Sequence, residues 1–220
     1  MPPPTETRSV PDAPRHLVYF ADPMCSWCWG FSPVVHGLVD HFGDRLPVTL
    51  VIGGLRPGVR EPMSAAMRTE IRTHWQHVHE RTGQPFDFSF FDRERFVYDT
   101  EPADRAAVVM RLVNPTLMLA YFTAIQRAFY AEGRDVTDEA VLGDLAADHG
   151  IDRDKFLEAM ATPEARRATL ADFETARDSG VTGFPTVYAG DTTNGYARVT
   201  AGYRPLDGLA EALEAWLATA

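Results

Sequence analysis

The run Leu17-Val18-Tyr19-Phe20-Ala21 has no polar interruption, the pattern of a short strand buried on both faces. The period then changes. From Cys28 onward Phe31, Val34, Val35, Leu38, Val39 and Phe42 recur at helical spacing, and Gly43 follows as a stop. LPVTLVIGG at 46–54 predicts a second buried strand, closed by Gly53 and Gly54. Between the segments 62–83 and 162–180 almost every stretch reads as helix, with apolar and polar faces alternating well enough to pack as a bundle. Thr137-Asp138-Glu139 opens one such helix with an oxygen-bearing cap, and Thr162-Pro163-Glu164 opens another with proline at its favoured first position. Gly133, Gly150 and Gly180 fall where helix stops are expected. Strands return in FPTVYAG (184–190) and ARVTAGY (197–203), joined through Asn194-Gly195, a hairpin turn signal. PLDGLAEALEAWLATA (205–220) closes the chain as an amphipathic helix.

The order is strand–helix–strand, a helical block, then helix–strand–strand–helix. It predicts one α/β unit of thioredoxin-like type, residues 16–60 and 163–220, with an all-helical insertion over 61–162, because the two sheet halves must come together. Residues 1–15, with five prolines and few apolar groups, read as a flexible tail.

Composition narrows the partners. The formal net charge of −10 argues against nucleic acid and anionic membranes, since an acidic surface repels both. The N-terminal segment has no apolar run of the secretory kind before Leu17, and no segment approaches the length of a membrane span. Both point to the cytoplasm, where structural disulfides are rarely maintained. Lys155 is the single lysine, and nothing around it suggests catalysis.

The two cysteines of the chain stand together in DPMCSWCWG, residues 22–30. Cys25 falls where a buried strand hands over to a helix, beside unpaired N–H groups and the positive end of the helix dipole, both of which favour thiolate. Cys28, one turn later, lies on the same face and can displace whatever Cys25 has captured. A zinc site would need further ligands, and HWQHVH (74–79) is the one histidine cluster. There His74 and His77 share a face that reads as solvated, with Trp75 and Val78 turned inward. No metal is expected. TGFPT (182–186) places Pro185 at the opening of a strand, a natural position for a cis bond, although on composition alone an ordinary turn proline is the better reading.

Together these features resemble the thioredoxin superfamily, with Pro33 five residues after the second cysteine, where the family kinks this helix. The helical insertion resembles the DsbA-like branch. DPMCSWCWGF, TGQPFDF and YDTEPADRA are similar to the cytosolic predicted protein-disulfide isomerases of the FrnE-like group. The resemblance implies that Cys25 is the nucleophile, Cys28 the resolving thiol and Pro185 a cis-proline, with Phe184 lining the substrate groove. Ser26 and Trp27 would tune the couple, and Trp27 and Trp29 would either supply an apolar rim or serve as packing residues. Tyr19 stands where the family carries a buried acid, which leaves the proton path open, and Asp104 stands where relatives can carry a cysteine.

The implied activity is thiol–disulfide oxidoreductase or disulfide isomerase, acting on protein or small-molecule disulfides. It needs no metal or organic cofactor, takes glutathione as at most a co-substrate, and is compatible with a homodimer. The alternative is a glutathione-dependent isomerase or transferase of the kappa-class or chromene-carboxylate type. A chaperone or adaptor using the helical surface is a third reading that no residue singles out.

Overall fold

The computed structural model describes residues 15–219, so all of the expected tail except Arg15 lies outside the described residues. Four strands form one mixed sheet in the order β2-β1-β3-β4: β1 His16–Ala21, β2 Val48–Ile52, β3 Thr186–Asp191 and β4 Gly195–Ala201. β1 lies in the middle, parallel to β2 (Leu17 opposite Val48) and antiparallel to β3 (Leu17 opposite Ala189). That position explains its uninterrupted apolar run. Leu17, Tyr19 and Ala21 enter the main core on one face, while Phe20 packs with Val51 and Ala176 on the other.

Helix α1, Ser26–Phe42, follows β1 and contains Pro33. It packs against the terminal helix α8, Leu206–Leu217, with Leu206 seated on Gly37 where a Cβ would stand. The expected strands at 184–190 and 197–203 shift by about two residues, because the hairpin is set by Asp191. Its Oδ1 accepts the N–H groups of Thr193 and Asn194, and Gly195 takes a φ of 84°.

Between β2 and β3 come α2 Ala65–Thr82, α3 Glu101–Val113, α4 Met118–Tyr130, α5 Glu139–Asp148, α6 Arg153–Ala161 and α7 Pro163–Asp178. Ser64, Asp138 and Thr162 cap their helices with side-chain oxygens, and Pro163 occupies the first turn of α7. The break in the helical block lies between Gly83 and Thr100, where only a 3-10 turn at Phe88–Asp92 forms. Gly83 at φ 73° ends α2, Pro85 removes a donor, and Asp87 accepts the Ser89 N–H in a competing local turn. The segment contributes aromatic rings rather than helix. Phe86, Phe90 and Phe91 surround buried Trp75 at centroid distances of 5.2, 5.0 and 4.8 Å.

The outer edge of β2 is covered by side chains. Asp172 of α7 accepts the Ile52 N–H at 2.9 Å, and Arg111 of α3 donates to the Leu50 carbonyl at 3.0 Å. The two side chains meet in a bidentate pair at 2.7 and 2.9 Å. One ion pair thus ties α3 and α7 to the strand and satisfies backbone groups that would otherwise be orphaned.

Candidate active site

Cys25 is the N-cap residue of α1, with extended backbone angles. It is 6% exposed, whereas Cys28 is fully buried beneath it, and both thiols are free. Burial, followed by the adjoining Cys25 sulfur, pushes the Cys28 pKa well above the ordinary thiol value. The outer cysteine lines a pocket, while burial favours the protonated form of the inner one.

Pro33 shapes the same helix from one turn further on. It cannot donate to the Trp29 carbonyl, which instead accepts Gln84 Nε2 at 2.9 Å and Ser32 Oγ at 3.0 Å. Trp29 Nε1 in turn donates to the Pro85 carbonyl. These bonds give the TGQPFDF stretch its structural meaning: Gln84 and Pro85 clamp the active-site helix. Trp29 is accordingly a core residue, 5% exposed and stacked on Tyr130, and the expected rim role passes to Trp27 alone.

The Phe184–Pro185 bond is cis, and Cys25 Sγ donates to the Phe184 carbonyl at 3.6 Å. Cys25, Ser26, Trp27 and Phe184 line one pocket with Leu55, Arg56 and His74. Pro185 is buried at the start of β3 and accepts the Gly202 N–H. A neighbouring groove of about 600 Å³ is bounded by Trp27, Phe184, His77, Glu80, Arg81 and Tyr203. The face of α2 that reads from sequence as merely solvated thus forms one bank of the site. No local signal distinguishes His74 and His77 from solvent-facing residues; only the docking of α2 beside α1 does.

The Phe184 ring lies directly over Gly53, where an added Cβ would come within 2.0 Å of it. Gly53→Ala is therefore expected to expel the ring and raise KM for a peptide disulfide about tenfold, roughly 1.4 kcal/mol of binding. A small aromatic disulfide, which does not span the groove, should be affected less. Steady-state kinetics on the two substrates checks this, and equal shifts would show that Phe184 does not line the peptide path.

Beneath the first turn lie two buried carboxyls. Asp22 Oδ1 accepts the Met24 N–H at 2.7 Å and Oδ2 the Leu55 N–H at 2.6 Å. Asp104 Oδ2 accepts the Thr100 hydroxyl at 3.0 Å, while Oδ1 has no partner in hydrogen-bonding geometry. Burial raises both pKa values, Asp104 strongly and with the Asp22 charge as second cause. Both groups bind protons more tightly folded than unfolded. Their contribution to stability is therefore largest at low pH and declines as pH rises from the ordinary carboxylate range through the raised values.

A thioredoxin-like sheet with a dithiol at the mouth of its first helix is the domain class of thiol–disulfide oxidoreductases. Residues 16–214 match the family model described as the DSBA-like thioredoxin domain, and the chain belongs to that family. A provisionally described protein disulfide isomerase from Nitrosomonas europaea is 39% identical and superposes with a TM-score of 0.87, covering 93% of this chain and 98% of that one. The cytosolic disulfide reductase DsbM from Pseudomonas aeruginosa is 26% identical with a TM-score of 0.75 over 93% and 100% of the two chains, and it has also been solved with GSH. The ClpXP adapter protein SpxH of Bacillus subtilis is 21% identical over 178 residues, 80% of this chain and 58% of that protein. The chain thus spans little more than half the length of this curated relative.

Proposed function

We propose that the chain is a thiol–disulfide oxidoreductase in which Cys25 attacks a substrate disulfide and Cys28 resolves the product. The observation that carries this reading is the pairing of a sulfur at the groove with a second, fully buried sulfur one turn behind it. Attack by Cys25 forms a mixed disulfide and releases one substrate thiolate. Cys28 then attacks the Cys25 sulfur, releasing the second thiolate, so two electrons pass from the dithiol to the substrate. An extended substrate segment would lie against Phe184 and Pro185, flanked by Ser26 and Trp27.

Glutathione is the co-substrate this site suits. Arg81 and His77 give the neighbouring groove cationic and hydrogen-bonding groups for its carboxylates, and a relative of the same fold was solved with GSH. A cytosolic setting belongs to the same proposal. The DsbM relative is cytosolic, and among the described residues no helix is long and apolar enough to cross a membrane.

Reduced protein is expected to accelerate insulin reduction with glutathione as electron donor. Turnover no faster than with glutathione alone would sink the reading. A glutathione-dependent isomerase is the second reading, favoured by Ser26 in the Cys25 pocket. It predicts glutathione binding by calorimetry that survives Cys28→Ser together with Cys25→Ser, whereas the exchange reading predicts that most of the binding is lost with the thiols.

A further inference from the structure

Arg56 lies in the connection between β2 and α2, and the structure holds it firmly. Its N–H donates to Thr100 Oγ1 at 3.1 Å, and its carbonyl accepts the Thr100 N–H at 3.3 Å. The flanking backbone is tied down as well: the Leu55 N–H donates to Asp22 Oδ2 at 2.6 Å and the Gly58 N–H to Asp99 Oδ1 at 2.7 Å. The guanidinium carbon stands 5.2 Å from the centroid of the Tyr98 ring, and buried Tyr98 is itself fixed by its hydroxyl on the Met24 carbonyl at 2.7 Å. Among the described residues this half-buried guanidinium makes no hydrogen bond and no ion pair. Backbone and ring contact order the side chain before any ligand arrives, while its N–H donors stay unused.

Those donors are at the reacting sulfur. Arg56 lines a cavity of about 200 Å³ together with Cys25, Trp27, His74 and Phe184, a space on the scale of one side chain. No aspartate or glutamate is among the described residues lining it, and the indole N–H of Trp75 in its wall has no acceptor. The larger groove differs, because there Glu80 stands beside Arg81 and His77 and offsets their charge. Trp27 and Phe184 border both spaces, so a substrate held against them brings the residue next to its cysteine within reach of the smaller cavity. The formal net charge of −10 disfavours an anionic substrate at long range. Salt screens that field beyond about 8 Å, whereas a guanidinium–carboxylate contact is made well inside that distance.

We propose that Arg56 selects the substrate by binding a carboxylate on the residue next to the cysteine that Cys25 attacks. The preferred substrates are then disulfides with an acidic group beside the reacting sulfur. The planar guanidinium donates two parallel N–H bonds to such a carboxylate, fewer to an amide in the same place, and repels a lysine there. An acidic side chain and the glycine carboxylate of glutathione both meet this description. Arg56 touches neither exchanging sulfur, so it acts in specificity and leaves the thiol chemistry to Cys25 and Cys28.

This inference rests on the exchange reading above, and the test separates the two. Symmetric disulfides are prepared from end-blocked dipeptides that carry aspartate, asparagine or lysine after the cysteine. Glutathione disulfide and its glycine-amidated form make a second set. Reduced protein is mixed with each, and released thiol is measured after an acid quench. Every rate constant is divided by that of the same disulfide with free 2-mercaptoethanol, which removes intrinsic reactivity. In wild type the aspartate peptide should react about tenfold faster than the asparagine peptide, and the lysine peptide slowest. That preference should shrink as salt is raised. Arg56→Gln should bring the aspartate-to-asparagine ratio to about one, and Arg56→Lys should restore part of it, since it keeps the charge without the fork. The wild-type salt series and Arg56→Lys carry the test should Arg56→Gln fail to fold. A shift in the glutathione pair alone assigns the carboxylate contact to glutathione, and a shift in the peptides alone assigns it to acidic side chains. A wild-type ratio near one in both sets, or an equal loss on all substrates in Arg56→Gln, would overturn the selection by Arg56. Failure of wild type to reduce any of the disulfides would overturn the exchange reading itself.

Discussion

Cys25→Ser is expected to lower disulfide reduction by about a thousandfold or more, since no second group at the groove can form the covalent intermediate. Cys28 cannot substitute. It is fully buried behind the first turn, and its proton is held by burial and by the Cys25 sulfur. Cys28→Ser should have a different signature: the first attack proceeds, and the mixed disulfide on Cys25 then persists for lack of an internal displacing sulfur. Intact-mass measurement after exposure to glutathione disulfide should show one adduct on Cys28→Ser and none on Cys25→Ser. Adducts of equal yield on both variants would contradict the assignment of roles.

The largest expected loss of stability lies outside the pocket that Cys25 lines, at Asp172. Asp172→Ala would leave the half-buried Arg111 guanidinium without its bidentate partner and the Ile52 N–H without an acceptor. Breaking a buried pair on one side costs about 3–5 kcal/mol. The Arg111 side chain is 27% exposed, so water compensates in part and a value of about 3 kcal/mol is expected. Urea unfolding monitored by circular dichroism would measure it. The double variant Asp172→Ala with Arg111→Met should recover part of the loss, because no unpaired charge remains. If the single variant costs less than about 1 kcal/mol, in the range of an exposed pair, the ion pair does not anchor the helical block to β2.

The strand–helix handover at Cys25 was legible because each signal there is local. A both-faces-buried strand needs an unbroken apolar run, and α1 needs its apolar residues at helical spacing; both stand in residues 17–42. The caps at Asp138 and Thr162 and the stop at Gly180 were readable for the same reason, since a side chain bonding a backbone N–H two or three positions away is encoded within one turn. The path of the segment after Gly83 is not legible in the sequence because its aromatic residues gain their stability from rings elsewhere, on α2 and α4, rather than from their own backbone pattern.

By itself, then, the sequence determined the order of elements, the dithiol at the helix mouth, and the position of Pro185 at the opening of a strand. Only the tertiary structure decided which face of α2 borders the groove, that Trp29 is core and Trp27 rim, and that Asp22 and Asp104 meet beneath the thiols though 82 positions separate them. The reason is physical. Secondary structure and caps depend on neighbours along the chain, whereas burial, buried polar groups and groove walls depend on which elements pack together, and that is settled by the closure of the whole core.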